Sequence, residues 1–347
     1  MVSILPSIFF IKFGGKMTRN IDEINNVVEN LQKLDNFIVT SHVSPDGDNI
    51  GSSMAMFYFL TKLGKKVRYV LDDDYPQNLL FLLRENKEKS TDINDSGHTV
   101  IALDSGSYER ICIDKKILEN ASKIICIDHH ITNGEYSEVK YIDTKASSTS
   151  EMVYNIISEY EKKYSVSIFD ELISTYLYVG LVTDTGNFQY SNTESSSLTM
   201  AARLLDFGAR KDEIIEQIFQ NNSLSYYKIL GEALNGLEVV DGHIAIISVT
   251  KVMMERNSIS YDDIDAITPY TRDINGVELG IFIKEKSMRE IKVSFRSKNY
   301  IDCSKLASEF GGGGHIRAAG CTFFDEELEA VKSKIIEKAK EYFKNGK

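Results

Sequence analysis

Four short clusters in the sequence carry residues able to do chemistry. They are His42-Val43-Ser44-Pro45-Asp46-Gly47-Asp48, Asp104 in Leu103-Asp104-Ser105-Gly106, Asp128-His129-His130, and Asp184 in Thr183-Asp184-Thr185-Gly186. Each sits where an apolar run stops, and three of the chain's six histidines fall inside them. Taken singly, each has an ordinary reading. Pro-Asp-Gly-Asp makes a turn, Asp104 or Asp184 caps a helix, and Asp-His-His is a capped loop with one packed histidine. Taken together they are a mixed carboxylate and imidazole donor set, which suits Mn²⁺ or a similar first-row divalent ion better than Ca²⁺ or a thiolate-held structural Zn²⁺. Two such ions about 3.5–4 Å apart can share a bridging carboxylate and make hydroxide from a water at neutral pH, with no protein base required. Four aspartates and two divalent ions also cancel in charge, so a loaded site accepts a phosphate that the empty one would repel.

The elements that must position these clusters are legible as apolar runs. Phe37 to Thr40, Val67 to Leu71, Thr99 to Leu103 and Lys123 to Ile127 read as strands. Their runs are continuous rather than alternating, as expected where a sheet is covered on both faces. Asn49 to Leu63, closed by Gly64, reads as a helix, as do Thr149 to Lys163 with Ser148 or Thr149 as N-cap, and Asp170 to Val182, which delivers Asp184 at its C-terminal end. Helices between strands predict a parallel α/β sheet, where ligands bind beyond the carboxyl ends of the strands. Thr193 to Asn222 reads as a helical connector. From Gly236 the pattern changes to alternation. Leu237 to Val240 and Ile244 to Val249 flank Asp241-Gly242, a hairpin signal. Val277 to Lys284 with Glu290 to Phe295 predicts a second hairpin, and Glu326 to Phe343 an amphipathic helix. The fold class is α/β: a parallel-sheet domain over 1–192 with helices on both faces, a helical linker over 193–224, and a smaller α+β domain over 225–347.

Composition limits the functions. The 347 residues carry 40 Lys plus Arg against 51 Asp plus Glu, a net charge of −11. Long nucleic acids are held by many Lys/Arg–phosphate contacts, so this balance disfavours them and leaves short anionic substrates. Cys112, Cys126, Cys303 and Cys321 form no C-x-x-C pair and read as reduced thiols of a cytoplasmic protein. Ile4 to Phe13 is apolar but too short to span a bilayer, and it lacks a basic start and a cleavage site. No membrane association is expected. Residues 1–16 read as disordered or as an overextended start, with Met17 as the alternative initiator.

The clusters in their order resemble the DHH phosphoesterase superfamily, named for the triplet at Asp128-His129-His130. Gly311-Gly312-Gly313-Gly314-His315, with Ala318-Ala319-Gly320 behind it, resembles the glycine-rich loop of the DHH-associated domain. Size and motif spacing are most similar to the bifunctional oligoribonucleases (nanoRNases) and 3′-phosphoadenosine-5′-phosphate (pAp) phosphatases of that superfamily. The resemblance implies two divalent ions, Mn²⁺ ahead of Mg²⁺ or Co²⁺. His42, Asp46 and Asp104 would hold one ion, and Asp48, Asp104, His129 and Asp184 the other, with Asp104 bridging. It implies that His130 faces the substrate phosphate, where it can stabilise charge or protonate the leaving oxygen, and that Asp128 orients the loop or a histidine. Asn49 stands where many relatives carry Ala, and Phe188 is expected to pack rather than to act.

Four consecutive glycines let backbone N–H groups approach an anion closely, and the residues after them are expected to begin a helix. The resemblance places Arg296 on a substrate phosphate, which its guanidinium can grip with two parallel bonds. Ser297, Gly313, Gly314 and His315 join it as substrate-binding residues. Arg317 reads as an exposed cation, and His98 and His243 as structural.

The implied activity is hydrolysis of oligonucleotides of two to five residues to 5′-mononucleotides, of pAp to AMP, or of linear pApA. The two domains are expected to face each other across a cleft, one cutting and one holding the nucleotide end. A homodimer is left open. A RecJ-like exonuclease would need further nucleic-acid-binding domains and a basic channel, and a manganese pyrophosphatase would lack the glycine-His loop. A regulator that had lost catalysis would have lost a ligand residue, and every one is present.

Overall fold

The computed structural model describes residues 20–83, 86–93, 96–130, 133–287 and 289–345. The expectations for residues 1–16 and for Met17 lie outside the described residues. The chain divides into two compact units, which meet between Asn221 and Asn222.

The first unit is built on six parallel strands: β1 (Phe37–Thr40), β2 (Val67–Val70), β3 (Lys87–Glu88), β4 (Thr99–Leu103), β5 (Lys123–Asp128) and β6 (Val139–Ile142). Their order is β3-β2-β1-β4-β5-β6. The chain leaves β1 toward one side of the sheet and later returns as β4 on the other, so the carboxyl ends of β1 and β4 flank the topological switch point where such sheets bind ligands. His42 follows β1 and Asp104 follows β4. The sheet separates its two faces residue by residue. Phe37, Val39, Ile101, Leu103, Ile125 and Ile127 enter the large core beneath the helices α1 (Ile21–Lys33), α2 (Gly47–Lys62), α4 (Thr149–Tyr164) and α5 (Glu171–Asp184). Ile38, Val70, Val100, Ala102 and Ile124 enter a smaller cluster with Ile117 and Leu118 of α3 (Lys115–Glu119). Both faces are therefore dry, which explains the unbroken apolar runs.

The next two helices, α6 (Ser195–Asp206) and α7 (Lys211–Phe219), also belong to this unit, contributing Met200, Leu204 and Ile214 to its core. The segment read as a connector is thus packed structure.

The second unit begins with α8 (Leu224–Asn235). It then carries β7 (Glu238–Val240), β8 (Ile244–Val249), α9 (Lys251–Asn257), α10 (Thr268–Arg272), β9 (Leu279–Ser287), β10 (Glu290–Ser297), α11 (Cys303–Ser308), β11 (Gly313–His315), β12 (Ala318–Phe324) and α12 (Leu328–Asn345). The strand order is β11-β12-β10-β9-β8-β7. Both expected hairpins form, β7–β8 and β9–β10, while β8 and β9 pair in parallel. One face packs under α11 and α12, the other under α8, α9 and the turn carrying Ile264 and Ile267. One expectation is corrected. The residues after the glycine run begin strand β12 and not a helix, because Gly313, Gly314 and His315 pair in register with Gly320, Ala319 and Ala318.

In the first unit, α2 and α5 cross at very short range, and glycine makes this possible. A Cβ on Gly51 would lie 2.5 Å from the Tyr176 carbonyl oxygen and 2.9 Å from the Gly180 nitrogen, both backbone atoms that cannot yield. A Cβ on Gly180 would lie 2.5 Å from Asp48 Oδ1. The crossing brings Asp48, on α2, toward Asp184, at the end of α5. Gly51→Ala is expected to destabilise the protein by about 1–3 kcal/mol through overpacking. Gly231→Ala, on α8 with open space around its Cβ, is expected to stabilise by about 0.5–1 kcal/mol. Thermal melts of the two variants check this; equal Tm shifts would contradict it.

Candidate metal centre and active site

The four clusters meet at the carboxyl ends of β1, β4 and β5 and at the C-terminus of α5. Strand β1 ends in a turn that presents His42, and Asp46 then caps α2 by accepting the Asn49 backbone N–H at 3.0 Å. Asp48 lies in the first turn of that helix and is buried. Asp104 follows β4, with φ at +55°, a conformation uncommon for a residue with a side chain and one that collects at functional sites. Its carboxylate is 2% exposed.

Asp104 is the hub. Its Oδ2 lies 3.3 Å from His42 Nε2, and its Oδ1 lies 3.5 Å from His129 Nε2 and 3.6 Å from His130 Nδ1. His42 Nε2 is 3.8 Å from Asp46 Oδ2. His129 Nε2 is 3.2 Å from Asp184 Oδ2 and 4.0 Å from Asp48 Oδ2. Three groups of ligand atoms each lie within 4.8 Å of one another: His42 with Asp46 and Asp104, Asp48 with His129 and Asp184, and Asp104 with His129 and His130. Each group offers oxygen and imidazole nitrogen together, a donor chemistry that fits a first-row divalent cation.

The electrostatics of the pocket also fit a cation. Burial, then the Asp104 charge, pushes the Asp48 pKa up to about 7. Desolvation and the charges of Asp48, Asp104 and Asp46 push Asp184 well above the usual carboxylate range. Asp104 behaves in the opposite way. Burial would raise it, but the His42 hydrogen bond and the charges of His129, His42 and His130 hold it at about 2. Desolvation and the Asp104 charge raise Asp46 as well, so three carboxylates resist ionisation beside one that is firmly ionised, a conflict that positive charge at the centre would relieve.

Neighbouring polar residues fix the geometry, and several of them carry no signal in the sequence. The N-terminus of α4, capped by Ser148, points at Asp48: the Thr149 N–H donates to Oδ2 at 2.6 Å and the Ser150 N–H to Oδ1 at 2.8 Å. The Thr149 hydroxyl donates to Asp104 Oδ1 at 2.9 Å. Asn49 is buried, accepts the Ser41 hydroxyl at 2.6 Å and donates to the His42 carbonyl at 2.9 Å, so it ties the turn to the helix. Asn192 donates to the carbonyls of Asp184 and Ser147, both at 3.0 Å, and so joins the end of α5 to the segment leading into α4.

Asp128 is fully buried, with Oδ1 2.7 Å from His130 Nδ1. Asn133 donates to its Oδ2 at 2.6 Å. The Asp128 hydrogen bond raises the His130 pKa to about 9. After Asp184 the backbone turns through three consecutive left-handed residues, Gly186, Asn187 and Phe188, and the Phe188 ring packs on the core.

Arg296 and the glycine run lie in the second unit. Arg296 sits near the end of β10, in register with Ala318 of β12, and its Nη1 donates to the Phe295 carbonyl at 3.0 Å. Ser297 is 3% exposed and donates its hydroxyl to the Ile301 carbonyl at 2.7 Å, which ties the loop after β10. The glycines differ among themselves. A Cβ on Gly314 would lie 2.6 Å from Ala319 Cα, and on Gly312 it would lie 2.2 Å from the Gly320 oxygen, so packing demands both. Gly313 meets nothing within 4 Å. The His315 side chain lies outside the described residues. Arg317 is exposed, as expected, and donates to the carbonyls of Asn299 and Ile301. His98 is buried, with Nε2 3.1 Å from the Ile117 carbonyl.

Residues 36–181 match the DHH family, N-terminal domain, and residues 245–345 match the DHHA1 domain. The chain is 30% identical over 305 residues to the bifunctional oligoribonuclease and PAP phosphatase NrnA of Thermus thermophilus, covering 87% of this chain and 89% of that one. It is 26% identical over 319 residues to the NrnA of Bacillus subtilis, covering 91% and 98%. Among solved structures, an exopolyphosphatase-related protein from Bacteroides fragilis resembles it with a TM-score of 0.83 at 27% identity, over 95% of this chain and 100% of that one. The chain belongs to the DHH family, with a DHH domain followed by a DHHA1 domain.

Proposed function

We propose that this protein is a two-metal phosphoesterase that hydrolyses oligonucleotides of two to five residues to 5′-mononucleotides and removes the 3′-phosphate of pAp. The observation that carries this reading is Asp104, one buried carboxylate whose two oxygens face His42 and His129 at 3.3 and 3.5 Å. His42 and Asp46 would hold one divalent ion with Asp104, and Asp48, His129 and Asp184 the other, with Mn²⁺ ahead of Mg²⁺ or Co²⁺. Ions bound there would activate a water and offset the charge of the attacked phosphate. The protein's own residues supply the rest. Asp128 engages His130 at Nδ1 and orients the ring, and we assign proton delivery to the leaving oxygen to Nε2. Arg296 and the backbone at Gly313 would hold the nucleotide end, the open space over Gly313 leaving room for close approach.

The names of the Thermus thermophilus and Bacillus subtilis relatives support the substrate class. The net charge of −11 supports short substrates over long ones. We place the protein in the cytoplasm, a reading supported by four free, buried cysteines. Among the described residues no helix is long and apolar enough to cross a membrane.

A length series tests the reading. With Mn²⁺, pAp and 5′-phosphorylated oligoadenylates of two to fifteen residues should yield AMP, with the rate falling beyond five residues. Asp104→Ala should lose more than about a hundredfold, beyond the 10–100-fold typical of residues that only support a metal ligand. A flat or rising length profile favours a single-strand exonuclease. Intact activity in Asp104→Ala contradicts the two-metal assignment. Short inorganic polyphosphate belongs in the same series, given the exopolyphosphatase-related neighbour.

The holding role has its own test. Arg296→Ala should raise KM by about tenfold or more while kcat changes little, as for loss of a charge-assisted phosphate contact. Gly313→Ala should leave the melting temperature unchanged and raise KM in the same direction. An unchanged KM in both variants would remove these residues from the substrate site.

A further inference from the structure

We propose that Tyr300 is a stacking platform for a nucleobase of the bound oligonucleotide, carried on a loop that Glu278 and Arg317 clamp in place. The proposal rests on the oligonucleotide reading above and adds a base-recognition element to it. Tyr300 lies three residues beyond Ser297, at the tip of the loop leaving β10, and is 56% exposed. Its ring makes a T-shaped contact with Phe343, at 6.0 Å and 83°, and more than half of the residue stays open to another group.

The loop beneath it is held far more tightly than a surface connection needs. Glu278 is 4% exposed and collects the backbone N–H groups of Asn299, Tyr300 and Ile301 on Oε1, at 2.9, 2.7 and 3.0 Å. Its Oε2 takes the Asn299 side-chain amide at 3.1 Å, and its own carbonyl takes the Lys298 N–H at 3.0 Å. Burial works to raise the Glu278 pKa, and these N–H groups outweigh it and keep the carboxylate ionised. From the opposite side Arg317 donates to the Asn299 and Ile301 carbonyls, and the Ser297 hydroxyl also donates to Ile301. The buried carboxylate thus takes the loop's donors while the guanidinium and hydroxyl take its acceptors, and the exposed ring stands on top.

A fixed aromatic loses little entropy on binding. This one sits on the loop that begins at the Arg296 strand end and also carries Lys298, whose Nζ reaches the Ile274 carbonyl at 2.6 Å. An aromatic ring and cations carried on one segment match the recurring composition of sites for single-stranded nucleic acid, where the ring carries a base and the cations follow the phosphates.

The test uses the full chain with Mn²⁺ and a 5′-phosphorylated triadenylate, together with analogues in which each base in turn is replaced by an abasic residue. Tyr300→Ala should raise KM for the triadenylate about tenfold, the size of one lost stacking contact, with kcat within about twofold. Tyr300→Phe should behave as the parent. On the analogue lacking the stacked base, parent and Tyr300→Ala should share one raised KM. If Tyr300→Ala raises KM equally on every analogue, the residue is structural and the proposal fails; an unchanged KM on the triadenylate also overturns it. If the parent cuts no short oligonucleotide, the phosphoesterase reading itself falls, which is a distinct outcome.

Discussion

A buried carboxylate placed between imidazoles on opposite sides is the constraint around which the first unit is organised. Asp104 has almost no solvent to stabilise its charge, and only its neighbours hold it ionised. His42 reaches one oxygen, His129 and His130 approach the other, and the Thr149 hydroxyl donates to the latter. The strand order places the ends of β1 and β4 side by side, and the left-handed backbone at Asp104 turns its side chain out of the strand path. The glycine-lined crossing of α2 and α5 and the N-terminus of α4 then fix Asp48 against the same centre. Loosening any one of these contacts would leave several like charges buried without compensation, which costs far more than an ordinary hydrogen bond.

The second unit uses charge differently. Glu278 is buried and Arg317 exposed, and both bond to one loop. They saturate the hydrogen-bonding groups of one loop so that its shape is set before anything binds. Close packing does similar work at the glycine run, where Gly312 and Gly314 let β11 lie against β12.

Much of this was legible in the sequence, for a physical reason. His42, Asp46, Asp48, Asp104, Asp128, His129, His130 and Asp184 are polar residues placed where apolar runs stop, and those runs are visible because both faces of the parallel sheet are dry. Thr149, Asn49, Asn133 and Asn192 were not legible as site residues. Small polar side chains are common in any chain, and their importance comes from partners distant in sequence, such as Thr149 with Asp104. β12, with Ala318-Ala319-Gly320 at its start, has the composition of a poor strand and forms because β10 and β11 pair with it. Ser297 was read as facing a ligand from its place beside Arg296, but its hydroxyl is taken by a carbonyl four residues on. Arg317 was read as an exposed cation, which it is, and its carbonyl partners appear only once the chain folds back on itself.

Asp104 is proposed to be shared between two metal ions. Equilibrium dialysis against Mn²⁺ followed by elemental analysis tests it most directly, comparing the parent with the near-isosteric Asp104→Asn. Two tightly bound ions per chain are expected in the parent and at most one, weakly held, in a variant that keeps its fold by circular dichroism. Two tightly bound ions in Asp104→Asn, or a single ion in the parent, would contradict it.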